Sequence, residues 1–351
     1  MLPCDDPGAT SGFFVDRLGF RVDAVRPAED PDEITISGHG VRVTLARGLA
    51  GDPGTLRLRC AGADAVRVLM APNGTRIELI GMDAPLRVPA LEPALAIALA
   101  KDARWVVGRA GMEYRDLIDD RQGGRFVASQ IRIRDGGPVP DYVHFHRVRF
   151  QMIYCRRGWV RVVYEDQGEP LVMREGDCVL QPPEIRHRVL ECSAGLEVVE
   201  VSCPAAHETL ADHELGLPTA ERQPERRFGG QRFVHHVAAE AAYVSGAHAG
   251  LEARDTGLAA ATDGLAGARV LRPSSSEATD WLGRHDGELR FWFVLDGALE
   301  LRLADRVVPL GPADAVTIPR GLPHAPAAWS EDLALLEVTL PGALRLEPEV
   351  R

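Results

Sequence analysis

A chain of 351 residues is too long for one small core and predicts two or three domains. Its composition, 45% hydrophobic and 26% charged, is that of a soluble globular protein. The net charge of −11 argues against binding to nucleic acid or an anionic membrane surface, and no apolar run approaches the roughly 20 residues of a membrane span.

The beginning of the chain predicts a protein that is not exported. MLPCDDPGAT carries Asp5 and Asp6 and lacks the basic-then-apolar pattern of an export signal. Six cysteines without a CxxC pair are expected to be reduced thiols, mostly in strands. They are Cys4, Cys60, Cys155, Cys178, Cys192 and Cys203. We therefore expect a cytoplasmic protein.

The first part of the chain predicts one helix and several strands. SGFFVDRLGF is expected to form a short helix that supplies apolar contacts through its phenylalanines and Leu18. The runs RVDAVRP, GVRVTLA, TLRLRC and GTRIELIG are strand-like. The apolar segment 86–100, LRVPALEPALAIALA, predicts a packing helix or an arm, and we end the first domain at residue 88.

The remainder predicts a duplicated β-domain. Short alternating runs bounded by Gly, Pro or charged turns are typical of a β-sandwich or barrel. Three pairs of residues share one offset of 139 positions: Gly111 and Gly250, Gly158 and Gly297, His146 and His285. We therefore predict one β-domain over 89–204, a polar linker over 205–231 and a second β-domain over 232–345.

The stretch DYVHFHRVRFQ (141–151) contains two histidines at a spacing of two. Residues i and i+2 share a face of a strand, so His144 and His146 can reach one metal ion. Gln151 joins them only after a bend. In GDCVLQPPEIRH (176–187), a Gly-Asp turn, a strand and a Pro-Pro stop return His187 to the same interior. This predicts a metal site, with a metal-free structural cluster as the alternative.

These spacings resemble the two sequence motifs of the cupins, small β-barrels with a metal inside. HxH, four residues, Gln151, six residues and Gly158 match the first motif. Gly176, five residues, Pro182 and then His187 match the second. The resemblance implies a mainly β protein with two cupin barrels of the double-stranded β-helix, or jelly-roll, type.

The resemblance also implies one divalent transition metal per chain, which could be Fe, Mn, Ni, Cu or Zn. The implied ligands are His144, His146, Gln151 and His187. Gln151 departs from the usual glutamate, and Glu184 stands where the second motif usually has glycine.

The second copy keeps the frame of the site but not its ligand set. GRHDGELRFWFVLDG retains His285, while Gly283 and Arg290 stand at the positions of His144 and Gln151. GPADAVTIPRGLPH retains the second motif through His324. Because a guanidinium cannot ligate a metal, we expect a degenerate, metal-free barrel. Glu288 as a replacement ligand in a shifted register is the alternative.

The N-terminal runs FFVDRLGFRVD and NGTRIELIG resemble half of a glyoxalase/extradiol-dioxygenase module, which implies a small α+β unit of βαβββ type. Glu78 stands where that family can place a carboxylate ligand, but no strand supplies a matching histidine. His39, in SGHGV, is interpreted as a turn residue. We expect a scaffold or dimerising role without metal.

Gln151 shapes the functional hypotheses. An amide leaves the metal's charge uncompensated, which favours an anionic ligand such as an enolate, a carboxylate or hydroxide, and it cannot act as a base. A proton carrier is not assigned, and four nearby polar residues are interpreted as surface or structural: Tyr114, Asp141, Tyr142 and Glu184.

We favour a metal-dependent enzyme that cleaves a small enolisable carbonyl or phenolic substrate with O2, as cupin dioxygenases do. The alternatives are a non-redox lyase, isomerase or cyclase of the three-His-one-Gln type, and a regulatory protein that binds a small molecule. A cluster of five aromatic residues and one methionine suggests an apolar substrate, although only inward-facing members can line a cavity. Its members are Phe150, Met152, Tyr154, Phe291, Trp292 and Phe293. Fold analogy predicts a homodimer.

Overall fold

The chain divides into two units, Met1–Pro85 and Leu86–Arg351, close to the boundary that the sequence predicts at residue 88. The computed structural model describes residues 1–60, 67–81, 85–248, 250–274, 282–304 and 306–348. The side chains of Cys60 and of residues 246–248 lie outside this description. Within the described residues, no helix is long and apolar enough to cross a membrane.

The N-terminal unit contains a strand, a helix and three strands in chain order, followed by a second sheet. Its helix begins where the Asp6 carboxylate accepts a hydrogen bond from the Ala9 N–H (2.9 Å), and it ends at Gly19, whose φ of +69° suits glycine. The first sheet and its helix comprise Leu2–Pro3, Pro7–Leu18 (helix), Arg21–Arg26, Glu33–Gly38 and Val41–Ala46. The second sheet comprises Thr55–Cys60, Arg67–Met70 and Arg76–Gly81.

The two residues of this unit that were considered for chemistry have structural partners. His39 lies in a turn at φ 51°, as expected, and its Nε2 is 2.6 Å from the Leu18 carbonyl oxygen. Glu78 accepts hydrogen bonds from Arg57 (2.7 Å) and Arg76. Neither belongs to a group of potential metal ligands among the described residues.

The second unit contains two barrels, each built from two facing sheets. In barrel 1 the larger sheet has the strand order Val234–His236, Cys178–Leu180, Phe150–Arg157, Leu196–Cys203, Val127–Ile133, Glu113–Asp116 and Val106–Val107. The smaller sheet has the order Leu171–Arg174, Trp159–Tyr164, His187–Cys192, His144–His146 and Thr209–Ala211, with Gly137–Pro138 beside His187–Cys192.

Barrel 2 repeats this arrangement. Its larger sheet has the order Val244–His248, Leu251–Asp255, Gly267–Pro273, Ala334–Leu340, Leu289–Asp296, Ala315–Thr317 and Ala96–Ala98. Its smaller sheet has the order Val307–Leu310, Leu299–Leu303, His324–Trp329, Gly283–His285 and Leu346–Pro348. The remaining elements are a hairpin and short helical turns: Arg227–Phe228 with Gln231–Arg232, Ala100–Asp102, Arg109–Gly111, Arg121–Gly124, Ala238–Glu240 and Leu258–Ala261.

The barrels exchange short arms, which the predicted domain boundaries do not anticipate. Ala96–Ala98, assigned by the sequence to the first β-domain, pairs with Ala315–Thr317 of barrel 2. Val234–His236, assigned to the second, pairs with Cys178–Leu180 of barrel 1. Segment 86–100 is therefore an arm rather than a helix over these residues, and the predicted linker contributes the strand Thr209–Ala211 to barrel 1.

A shared hydrophobic core joins the barrels and uses most of the aromatic cluster. In the strand Phe150–Arg157, Phe150, Met152 and Tyr154 pack between the barrels together with Phe291 and Phe293. This face of the strand is apolar because the second barrel buries it, whereas the opposite face turns Gln151 to the interior of barrel 1. These core residues do not line the cavity of barrel 1 and therefore do not indicate the polarity of a substrate.

The predicted repeat is visible in the backbone. Gly158 and Gly297 end the corresponding strands with φ of +76° and +73°. His144 is the strand partner of His187 in barrel 1, and Gly283 is the partner of His324 in barrel 2. The two motifs thus meet in the same register in both barrels.

Candidate metal centre

Three histidines of barrel 1 converge inside the smaller sheet. The strand His144–His146 turns both of its histidines to the interior, and His187 opens the neighbouring strand directly opposite His144. One nitrogen from each ring lies within 4.8 Å of the others. Among the residues that the structure describes, this is the one such group of His, Cys, Asp or Glu.

Backbone carbonyls fix two of the three rings. His144 Nδ1 donates to the Tyr142 carbonyl oxygen (2.8 Å), and His187 Nδ1 donates to the Ile185 carbonyl oxygen (3.0 Å). A carbonyl only accepts, so each Nδ1 carries the proton and each Nε2 keeps a lone pair for a ligand. His146 Nδ1 is 3.3 Å from the Thr209 hydroxyl, on the strand contributed by the predicted linker.

Burial keeps these imidazoles neutral at pH 7. It lowers the pKa of His146 to about 3, with smaller contributions from neighbouring positive charge. Burial and then the charge of Arg109 lower the pKa of His144, and burial lowers the pKa of His187 well below its ordinary value. Neutral imidazole is the form that binds a metal, so the three rings are ready to ligate without losing protons.

Two glutamines complete the inner face of the cluster. Gln151 points inward from the strand Phe150–Arg157, and its Oε1 accepts a hydrogen bond from Gln181 Nε2 (3.2 Å). Gln181 Nε2 also lies 3.2 Å from His187 Nε2, while Gln181 Oε1 accepts from the Tyr164 hydroxyl (2.8 Å). Gln151 Oε1 and His187 Nε2 therefore both accept hydrogen bonds from the Gln181 amide, so their lone pairs point to a common place.

Arg109 contacts the ligand nitrogen of His144. Its Nη2 is 3.0 Å from His144 Nε2, and its Nη1 pairs with the fully buried carboxylate of Asp141. Asp141 in turn accepts a hydrogen bond from the Val189 N–H (3.0 Å). Asp141 is therefore structural, as expected, and it holds a guanidinium beside the histidines.

The donor set fits a single divalent metal ion. Three neutral imidazoles with converging nitrogens are typical of sites for Zn and other first-row transition metals. The residues that would hold the ion are His144, His146 and His187, and Gln151, the fourth ligand that the resemblance implies, lines the same end of the cavity.

The cluster closes one end of a cavity that has mostly aliphatic walls. The space around the cluster is about 690 Å³ when the open mouth and the gaps between the lining side chains are included. Beyond the polar end, apolar side chains form the wall: Met112, Ile131, Ile133, Ile153, Val160, Val162, Met173, Val189, Leu196 and Val198. Tyr114 also lines it, whereas Tyr142 is 41% exposed and Glu184 pairs with Arg147 (3.2 Å).

Barrel 2 holds a buried ion pair where barrel 1 holds the cluster. Arg290 Nε donates to Glu337 Oε1 (3.0 Å), and Arg290 Nη1 donates to His324 Nε2 (2.5 Å). His285 Nε2 donates to the Ile318 carbonyl oxygen (2.9 Å), which removes it as a ligand in this arrangement. The shifted-register interpretation is wrong, because Glu288 pairs with arginines of barrel 1 rather than facing the interior.

Sequence reasoning missed three polar residues of the barrel 1 cavity: Arg109, Gln181 and Glu200. A signal existed for the last of them. In LEVVEVS, Glu200 has the same parity as Val198, which faces the interior, whereas Glu197 has the opposite parity. The second copy has a glutamate at the corresponding place in LALLEVTL. No comparable pattern marks Arg109, which reaches the cavity from a short turn.

Comparison with known proteins gives one family and a set of similar structures. Residues 273–339 match the model of the cupin domain family. Oxalate decarboxylase OxdC of Bacillus subtilis has a similar structure, at a TM-score of 0.53 and 12% identity over 75% of this chain and 80% of that one. Protein Ylba of E. coli is similar at a TM-score of 0.54 and 12% identity, over 74% of this chain and 95% of that one.

At this identity the likeness shows the fold alone. The Bacillus subtilis oxalate decarboxylase is described as having Mn(II) centres, which is a statement about that protein. No curated protein matches the chain.

Proposed function

We propose that this protein, which contains a cupin domain and has the paired-barrel cupin fold, is a metal-dependent enzyme acting on a small organic anion. The observation that carries the proposal is the buried cluster of His144, His146 and His187, whose ligand nitrogens converge beside Arg109 at the end of a cavity. A bound divalent metal would supply Lewis acidity and, if it is Fe, Mn, Ni or Cu, one-electron chemistry with O2.

A metal held by neutral ligands, with the guanidinium of Arg109 beside it, favours an anionic group at the metal, while the Glu200 carboxylate lies one hydrogen bond behind Gln151. All four proposed ligands are neutral, so they do not compensate the charge of a cation held among them. Arg109 is 28% exposed and is held by Asp141, which leaves its second nitrogen directed at the cluster. A guanidinium presents parallel N–H donors that match a carboxylate or enolate, so Arg109 would bind and orient the substrate's anionic group.

The aliphatic wall accounts for the rest of the substrate. It removes a hydrocarbon portion from water and leaves polar donors and acceptors only at the metal end. An enolisable carbonyl compound or a phenol, bound as its anion, combines the two properties that the cavity selects.

For the reaction we propose oxidative cleavage by O2, in which both oxygen atoms enter the products and no external reductant is consumed. An apolar cavity admits O2 and excludes much of the water from the bound anion. A non-redox lyase, isomerase or cyclase reaction is the second candidate. It is favoured by Glu200, a carboxylate that lines the same cavity and could carry a proton.

An oxygen electrode distinguishes these reactions. The metal-loaded protein is supplied with a panel of small diketones and phenols, and O2 uptake is compared with substrate loss. Uptake of one O2 per substrate is the expected result. Substrate loss without O2 uptake would contradict the oxygenase and support the second candidate.

A substrate-binding variant tests the anion argument. Arg109→Ala is expected to raise KM for the substrate about 10- to 100-fold, because one charge-assisted contact worth roughly 1.5–3 kcal/mol is lost. Arg104→Ala, which removes an exposed arginine outside the cavity lining, is the matched control and should leave KM unchanged. An unchanged KM for Arg109→Ala would contradict the assigned role.

A further inference from the structure

We propose that Glu200 is a positioning residue for the metal site: it orients the Gln151 amide and supplies, one hydrogen bond away, the negative charge that a ligating carboxylate would supply directly. This inference rests on the proposed function, since it assumes a metal among the three histidines. It assigns a role to a carboxylate of the cavity that was not among the predicted ligands.

Strand pairing places the two residues together. The strands Phe150–Arg157 and Leu196–Cys203 are antiparallel neighbours, with Gln151 opposite Ser202 and Ile153 opposite Glu200. Gln151 and Glu200 are therefore diagonal neighbours on the inward face, within reach of long side chains. Gln151 Nε2 donates to Glu200 Oε1 (3.3 Å), and the Ser202 hydroxyl donates to the same oxygen (3.1 Å).

The donors and acceptors around Gln151 fix which end of its amide faces the cluster. A carboxylate only accepts, so Glu200 selects the NH2 end of Gln151. At the other end, Gln181 donates to Gln151 Oε1, and the orientation of Gln181 follows from the Tyr164 hydroxyl and His187 Nε2. The chain of donors consequently leaves the Gln151 oxygen as the atom presented to a metal.

Barrel 2 has a carboxylate at the equivalent position, but there it forms a buried ion pair. Glu337 lies opposite Trp292, as Glu200 lies opposite Ile153, and it accepts from Arg290, the counterpart of Gln151. That glutamate is fully buried and its charge is balanced by arginines. Both barrels thus have a glutamate at this position. In barrel 2 its charge is paired with Arg290, whereas in barrel 1 it faces the neutral amide of Gln151.

Within the part of barrel 1 that the structure describes, the negative charge of Glu200 is not paired with a cationic side chain and can therefore act on the metal site. Among the described residues, no ion pair includes the Glu200 carboxylate, and its hydrogen-bond donors are the neutral groups of Gln151 and Ser202. A hydrogen bond from an amide to a carboxylate polarises that amide and strengthens its oxygen as a ligand. Outer-shell partners of this kind typically contribute about 10- to 100-fold in metal affinity.

The test uses the full chain, freed of metal and titrated with Co²⁺ alone. Affinity is measured by competition with a chelator, and the visible absorption bands of Co²⁺ report the ligand field. Glu200→Gln should weaken Co²⁺ binding about 10- to 100-fold and shift the bands. The matched control is Glu191→Gln, which removes one charge from a surface pair with Arg161 and should change affinity less than twofold.

An exchange of the two residues separates positioning from a general effect on folding. In the double variant Gln151→Glu with Glu200→Gln, the carboxylate becomes the ligand and the amide its partner, so Co²⁺ affinity should recover to at least the wild-type level. Wild-type affinity and spectrum in both Glu200→Gln and Glu200→Ala, or no recovery in the exchange, would overturn the role of Glu200. If the wild type binds no Co²⁺, or His144→Ala binds it equally well, the proposed metal site itself fails and this inference falls with it.

Discussion

The same substitution in the two barrels should have different consequences for stability. In barrel 2, Glu337 is fully buried and accepts hydrogen bonds from Arg290 (3.0 Å) and from the Trp292 indole (2.8 Å). Arg290 is only 2% exposed, so Glu337→Gln would leave a buried guanidinium next to a neutral amide. Breaking a buried ion pair by neutralising one partner costs about 3–5 kcal/mol.

In barrel 1, Glu200→Gln removes no ion pair, because the partners of Glu200 are the amide of Gln151 and the hydroxyl of Ser202. The new side chain keeps one acceptor oxygen, so the expected loss is about 1 kcal/mol or less. The structure therefore predicts a difference of at least about 2 kcal/mol between two identical changes at equivalent positions.

Urea denaturation at pH 7, followed by circular dichroism and tryptophan fluorescence, measures this difference. With a slope of about 3 kcal/mol per M, Glu337→Gln should lower the midpoint by about 1–1.7 M and Glu200→Gln by about 0.3 M or less. A midpoint shift for Glu337→Gln no larger than that for Glu200→Gln would refute the assignment of a buried ion pair to barrel 2.

Two further predictions concern the backbone and the thiols. Gly321 has a φ of +78°, so Gly321→Ala should lower the free energy of unfolding by at least about 1 kcal/mol even though an added Cβ would meet open space. At the equivalent turn of barrel 1, Glu184 has a φ of 63°, so Glu184→Gly should raise the free energy of unfolding by up to about 1 kcal/mol. Thermal unfolding of both variants checks these opposite signs. Burial raises the pKa of Cys155 to about 12 and that of Cys203 to about 11, so neither thiol should react with a disulfide reagent at pH 8 until the protein is unfolded, and rapid modification of the native protein would contradict their burial.

The sequence predicted the elements that follow from local periodicity. The N-terminal helix, the predominance of short strands in both barrels and the repeat could be read from alternation and from glycines at turns. The convergence of His144, His146 and His187 could be predicted because HxH and the returning strand fix their register relative to one another. The position of Gln151 followed from parity along one strand.

What could not be predicted depends on partners that are distant in sequence. The arm Ala96–Ala98 pairs with Ala315–Thr317, at the edge of the larger sheet of barrel 2. No local sequence pattern specifies which open sheet edge such an arm will join. Arg109 reaches His144 across 35 positions, held by Asp141. Alternation along the strand showed that Phe150, Met152 and Tyr154 share one face. It did not reveal that the second barrel covers this face.

We propose that barrel 1 holds one divalent metal through its histidines and that barrel 2 holds none. Metal analysis of the protein reconstituted with Zn²⁺ or Co²⁺ tests it most directly, because barrel 2 supplies its own control. We expect about one equivalent per chain in the wild type, retained in the double variant His285→Ala with His324→Ala and lost in His144→Ala with His187→Ala. Equal metal content in the two double variants, or loss confined to the barrel 2 variant, would contradict the account.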